Sequence, residues 1–113
     1  MLNFFVVPVP ENVQIQNITT SSVIVSYELS NKTQPYTKIE VLLINRESKE
    51  FFEFSTKAMV PTGKIPLNEL ISGTQYAIKM RMIFPDGLKS KNRTEKDFQT
   101  GKFIFLSTFE NKD

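Results

Sequence analysis

Apolar and polar residues alternate along most of this chain, and a period of two predicts strands rather than helices. After Pro8 and Pro10, Val13 and Ile15 share one face of a first short strand. In Ser22 to Tyr27, the positions Val23, Val25 and Tyr27 fall on one side. Lys38 to Asn45 turns Ile39, Val41 and Leu43 inward and leaves Lys38, Glu40 and Leu42 outward. Phe51 to Phe54 reads as a short strand with Phe52 and Phe54 inward, and Gly63 to Leu67 as another with Ile65 and Leu67 inward. The longest alternation sets Tyr76, Ile78, Met80 and Met82 inward against Lys79 and Arg81, and Thr94 to Thr100 closes with Phe98 inward.

The intervening segments have turn chemistry. Asn31 to Pro35 is polar, Arg46 to Glu50 is charged, and Pro85-Asp86-Gly87 joins a residue that presets φ to one that tolerates positive φ. No stretch of about ten residues has apolar positions at helical spacing, and the strands do not repeat one another. The pattern therefore predicts one all-β domain, a seven-stranded antiparallel β-sandwich.

The sharpest local signal is Leu70-Ile71-Ser72-Gly73-Thr74-Gln75-Tyr76. A turn that ends in Tyr at the start of a strand pins the corner between two sheets. The ring enters the core and the hydroxyl bonds to backbone a few residues upstream. We expect that backbone group to be an acceptor. Tyr27, Leu70, Gly73 and Tyr76 are thus the candidate corner and core residues.

Composition narrows the chemistry. Forty per cent hydrophobic residues with 10 Phe suit a packed globule, and a net charge of +2 is too mild to imply nucleic-acid binding. The chain has neither His nor Cys. A Ser-His-Asp or Cys-His centre cannot be assembled, the commonest zinc ligands are missing, and no disulfide can form. Asp86 and the other carboxylates lack the spacing of a calcium loop or a paired-carboxylate site. No catalysis, cofactor or metal is expected. Met1 to Pro10 has no basic leader and too short an apolar run for a signal sequence or a membrane span, so either the protein is not secreted from this start or the chain is a fragment of a longer one, and we expect the fragment.

Several of these features together resemble a fibronectin type III domain spanning Pro10 to Thr100. They are Pro10 with Val13 and Ile15, the run Ser22 to Tyr27, and a strand carrying Tyr36, Ile39 and Val41. The corner from Leu70 through Gly73 and Thr74 to Tyr76, and the closing Phe98-Gln99-Thr100, complete the set. The family usually carries Trp where Tyr27 stands, so the resemblance is to a divergent member whose Tyr27 hydroxyl needs a partner. It implies an immunoglobulin-like sandwich without catalysis. Such a module binds protein or acts as a spacer in a larger extracellular or cell-surface protein, among neighbouring domains and outside the membrane. The paired Cys and Trp-Ser repeat of cytokine-receptor variants, and the Arg-Gly-Asp of integrin-binding members, are absent.

Three further features are candidates for function. Asn17, Asn31 and Asn92 head glycosylation sequons in predicted loops, although such tripeptides also arise by chance in a chain rich in Asn and Thr. Lys79, Arg81, Lys89, Lys91, Arg93 and Lys96 lie on or beside two neighbouring strands. They form either a face for heparin-like polyanions or acidic partners, or a solvated surface that protects an outer strand. The flanks 1–9 and 101–113 are apolar and rich in β-formers, unlike solvated linkers. They belong to neighbouring domains, pack back on the sandwich, or join a second chain by strand addition, which would make the protein a small assembly subunit. We expect the tail 101–113 to pack within the molecule.

Overall fold

In the computed structural model, which describes residues 9–91 and 93–103, the alternating runs form seven strands. These are β1 (Glu11–Gln16), β2 (Val23–Glu28), β3 (Lys38–Asn45), β4 (Phe51–Lys57), β5 (Thr62–Leu67), β6 (Gln75–Ile83) and β7 (Thr94–Gln99). Every pairing is antiparallel. A three-stranded sheet in the order β1-β2-β5 faces a four-stranded sheet in the order β4-β3-β6-β7. This is an all-β, immunoglobulin-like sandwich with no helix among the described residues.

Register decides which side chains meet. Ile39 stands opposite Met82, Val41 opposite Met80 and Leu43 opposite Ile78, and all six are buried. On the facing sheet Val23, Val25 and Tyr27 stand opposite Leu67, Ile65 and Gly63. Burying each large aliphatic side chain contributes about 1.5–3 kcal/mol, and a one-residue slip would turn a whole row to water. The core therefore fixes the register.

Thr94 Oγ1 donates to the Pro10 carbonyl at 2.8 Å and ties β7 to the start of β1. The chain enters at the end where Glu11 stands opposite Glu28, and leaves at the other end, where Gln99 stands opposite Gln75. On the opposite side of the sandwich β4 and β5 are both edge strands.

Several positions depart from the alternation, among them Glu40, which lies on the outward row but is buried. Phe52 occupies the inward register opposite Leu43 yet is 63% exposed, because the three-stranded sheet ends at β5 and does not cover the start of β4. Tyr36 is not in a strand: it sits in a turn with φ 65° and is 86% exposed. Ala77 lies on the outward row but is buried. Arg46 follows β3 and reaches Asp97 at 2.9 Å and Glu95 at 3.3 Å on β7, so its side chain crosses β6 over Ala77.

Candidate interaction surface

The corner residues build a frame for the loops. Tyr76 is buried, its ring stacks on Phe98 with centroids 5.5 Å apart, and its hydroxyl accepts from the Ile71 N–H at 2.9 Å. The bond is thus of opposite sense to that expected, with backbone as donor. Thr100 completes the corner: its hydroxyl donates to the Ile71 carbonyl at 2.6 Å and accepts from the Thr74 N–H at 2.9 Å. Gly73 takes φ 59°, a left-handed conformation that Gly adopts without a Cβ clash. Leu70 is half-buried against the core rather than fully inside it.

Tyr27 fills the core with its ring, and its hydroxyl accepts from the Met59 N–H at 3.0 Å. Room for that ring depends on Gly63, directly opposite on β5, where a Cβ would collide with the Tyr27 ring and hydroxyl. The phenol thus does more than fill space. It anchors the loop between β4 and β5.

Three loops gather at the end where Glu28, Lys38, Lys57, Thr62 and Ile83 begin or finish their strands. They are the β2–β3, β4–β5 and β6–β7 connections; the first two are bonded to each other, and the third to itself and to β6. Leu29 N donates to the Pro61 carbonyl at 2.8 Å and Ala58 N to the Thr37 carbonyl at 3.0 Å. Phe84 N donates to the Leu88 carbonyl at 2.8 Å, and Met82 N to Ser90 Oγ at 3.0 Å. Gly87, at φ 90°, lets the last loop turn. From this frame Tyr36, Met59, Val60 and Leu88 are exposed to solvent, at 86%, 48%, 45% and 66%. Sequence reasoning missed this set because no two of its members share a segment longer than two residues.

The basic residues are dispersed. Arg81 and Lys89 converge, but on the buried Glu40 carboxylate, with Arg81 Nε at 2.6 Å and Lys89 Nζ at 2.7 Å. Burial pushes the Glu40 carboxyl up, but the bonds from Lys89 and Arg81 outweigh it and hold the carboxyl below its ordinary value. Lys79 stands opposite Glu95 on the outward row. Lys96 stands opposite Ile78, in the inward register and so on the other face of the sheet. Lys91 and Arg93 are exposed near the β6–β7 loop. Asn17 and Asn31 are exposed, Asn17 with φ 51°, while Asn92 lies outside the described residues.

At the opposite end of the sandwich an open groove of about 540 Å³ runs beside β4. Leu43 and Tyr76 contribute to its lining, together with the exposed Phe51, Phe52 and Ile71. The flanking segments 1–8 and 104–113 lie outside the described residues. No described helix is long and apolar enough to cross a membrane.

No family model and no curated protein sequence matches the chain. Solved structures do. A computationally redesigned β-sandwich protein is 19% identical with a TM-score of 0.68, covering 92% of this chain and 100% of that one. A structure described as a myokine is 16% identical with a TM-score of 0.69, covering 83% of this chain and 97% of that one. A domain of human collagen XX, of the fibronectin type III class, is 17% identical with a TM-score of 0.60, covering 87% and 98%.

Proposed function

We propose that this chain, which has the fibronectin type III fold, is a protein-interaction module of a larger cell-surface or secreted protein. The fold commonly serves as a non-catalytic module in larger proteins. Binding takes place through the end built by the β2–β3, β4–β5 and β6–β7 loops.

One observation carries this reading: Tyr36, Met59, Val60 and Leu88 are exposed together on loops that hydrogen bonds already hold in place. Preordered loops lose little conformational freedom on association, so more of the contact energy appears as affinity. Tyr and Met are also enriched in protein interfaces. A polyanion-binding face has weaker support, since Arg81 and Lys89 are engaged with Glu40 and Lys96 lies on the other side of the sheet. Asn31 sits on the β2–β3 loop, so a glycan there would flank the binding end rather than cover the sheets.

A photo-crosslinking residue at position 88 of the full protein, with the same residue at position 64 on β5 as control, tests the proposal. We expect one partner to crosslink at 88, little at 64, and loss of the 88 product on Tyr36→Ser. Equal labelling at both positions, or a bound partner that never crosslinks at 88, overturns it. Retention on heparin beyond that of a protein of net charge +2 would favour the polyanion reading instead.

A further inference from the structure

The end that carries the exposed loop tips also carries two lysines set against each other. Lys38 opens β3, Lys57 closes β4, and the two stand directly opposite. Both are exposed, on the outward side, since Ile39 beside Lys38 is buried in the core. The hydrogen-bond pattern brings their side chains close. Ala58 N donates to the Thr37 carbonyl and Asn45 N to the Glu50 carbonyl, so Thr37–Ala58 and Asn45–Glu50 are bonded pairs of this ladder. Bonded pairs alternate along an antiparallel ladder, which makes Lys38–Lys57 a non-bonded pair. In such pairs the Cα atoms lie about 4.5 Å apart instead of about 5.5 Å. Like charges placed this way repel and destabilise the sheet.

Nearby carboxylates do not neutralise the pair. Lys38 stands opposite Ile83 on its other side, and Ile83 bridges to Lys89, so the row across the sheet reads Lys57, Lys38, Ile83, Lys89. Glu40 is the next outward residue on β3, but Arg81 and Lys89 take its two oxygens at 2.6 Å and 2.7 Å. On β4 the next outward residue is Ser55, and Glu53 lies farther along, opposite Leu42. Of the acids at this end, Asp86 accepts from the Leu88 N–H, Glu28 accepts from the Asn12 amide, and Glu11 stands opposite Glu28 on the other sheet. Among the described residues no carboxylate forms an ion pair with Lys38 or Lys57. An anion settling between the two ammonium groups would relieve a repulsion that the free fold sustains.

The surroundings select the occupant. Lys38 comes two residues after Tyr36 and Lys57 two before Met59, and the Ala58–Thr37 bond carries the ladder past both strands toward those tips. The cations therefore border exposed apolar side chains. A protein surface can set apolar groups against Tyr36 and Met59 and carboxylates against the lysines. A sulfated polysaccharide has no apolar group to offer.

We propose, resting on the loop-end reading above, that Lys38 and Lys57 form an anion-binding pair for Asp or Glu carboxylates of the protein partner. That partner presents an acidic border beside an apolar centre. The test titrates the ¹⁵N-enriched chain with a short blocked peptide in which Glu flanks Phe, and with its Gln counterpart as control. We expect the Tyr36, Lys38, Lys57 and Met59 amide signals to shift with the acidic peptide, little with the control, and less as salt is added. Lys57→Glu sets a carboxylate opposite Lys38, so the free chain should melt higher while the peptide-induced shifts vanish. Equal shifts with both peptides, shifts that persist in Lys57→Glu, or a lower melt for that variant overturns the proposal. So does a sulfated oligosaccharide of the peptide's net charge that shifts these signals more strongly, since the occupant is then a glycan. In the full protein, crosslinking at position 88 that Lys38→Gln with Lys57→Gln leaves undiminished overturns the lysine pair and spares the loop-end reading. Acidic-peptide shifts at the pair with no partner crosslinked at 88 spare the pair and overturn the loop-end reading.

Discussion

Removing one oxygen at the corner isolates its contribution. Tyr76→Phe keeps the ring, its stacking on Phe98 and nearly all its buried area, so packing terms cancel between the two proteins. What changes is the Ile71 N–H, which loses its acceptor at 2.9 Å. A donor left unsatisfied in a buried setting costs about 1–3 kcal/mol, while a hydrogen bond whose donor regains water costs about 0.5–1.5 kcal/mol. This bond is half-buried, so the loss should be about 1–2 kcal/mol. A domain of this size loses about 4–8 °C of Tm per kcal/mol, so the melt should fall by about 4–16 °C. Urea denaturation gives the same quantity at constant slope, as a shift of the midpoint. Thr100→Val removes the other brace on the same loop, and the two substitutions should be non-additive because both hold Ile71. Superimposable urea curves for Tyr76→Phe and the parent protein would refute the reasoning, and strict additivity with Thr100→Val would refute the shared-loop part of it.

Other substitutions probe other parts of the frame. Gly63→Ala should destabilise by about 1–3 kcal/mol in a thermal melt, and Tyr27→Phe should not rescue it, because the ring as well as the hydroxyl occupies the space. Leu70→Ala should cost about 1–3 kcal/mol, below the usual range for a buried Leu, since Leu70 is only half-buried; a cost of about 5 kcal/mol would contradict that placement. Glu40→Gln should destabilise by about 1–3 kcal/mol at neutral pH, discounted from the value for a fully buried pair because Lys89 is partly exposed. The folded Glu40 carboxyl titrates below its unfolded value. Its stabilisation is therefore complete above the unfolded value of about 4.3 and is lost as pH falls through the folded one. The difference between parent and Glu40→Gln should narrow on acidification, and a difference that widens below pH 4 would reverse the sign.

Strands were legible in the sequence wherever one face met the core. The rows Ile39-Val41-Leu43 and Tyr76-Ile78-Met80-Met82 combine period two with burial, so a local pattern reports a global fact. Legibility ended where a position's environment comes from distant chain. Glu40 looks like an ordinary outward carboxylate, and only the register that brings Arg81 and Lys89 alongside makes it a buried ionic hub. Phe52 follows the inward pattern but sits past the edge of the facing sheet. Gly63 reads as a strand-breaking residue until Tyr27 is seen to need its missing side chain. The basic residues do lie on or beside two neighbouring strands, but alternation places Lys79 and Lys96 on different faces of the sheet. The exposed loop tips are contributed one or two residues at a time by three connections, and no window along the chain contains them together.

Because β1 starts at one pole of the sandwich and β7 finishes at the other, tension applied through the two termini runs along the strand axes. Pulling would slide β1 lengthwise against β2, so the hydrogen bonds between them would share the load at once rather than open in sequence. Joined end to end with other domains, such a unit would act as a stiff link in a tether, and the Thr94–Pro10 clasp would be among the first contacts to feel the strain.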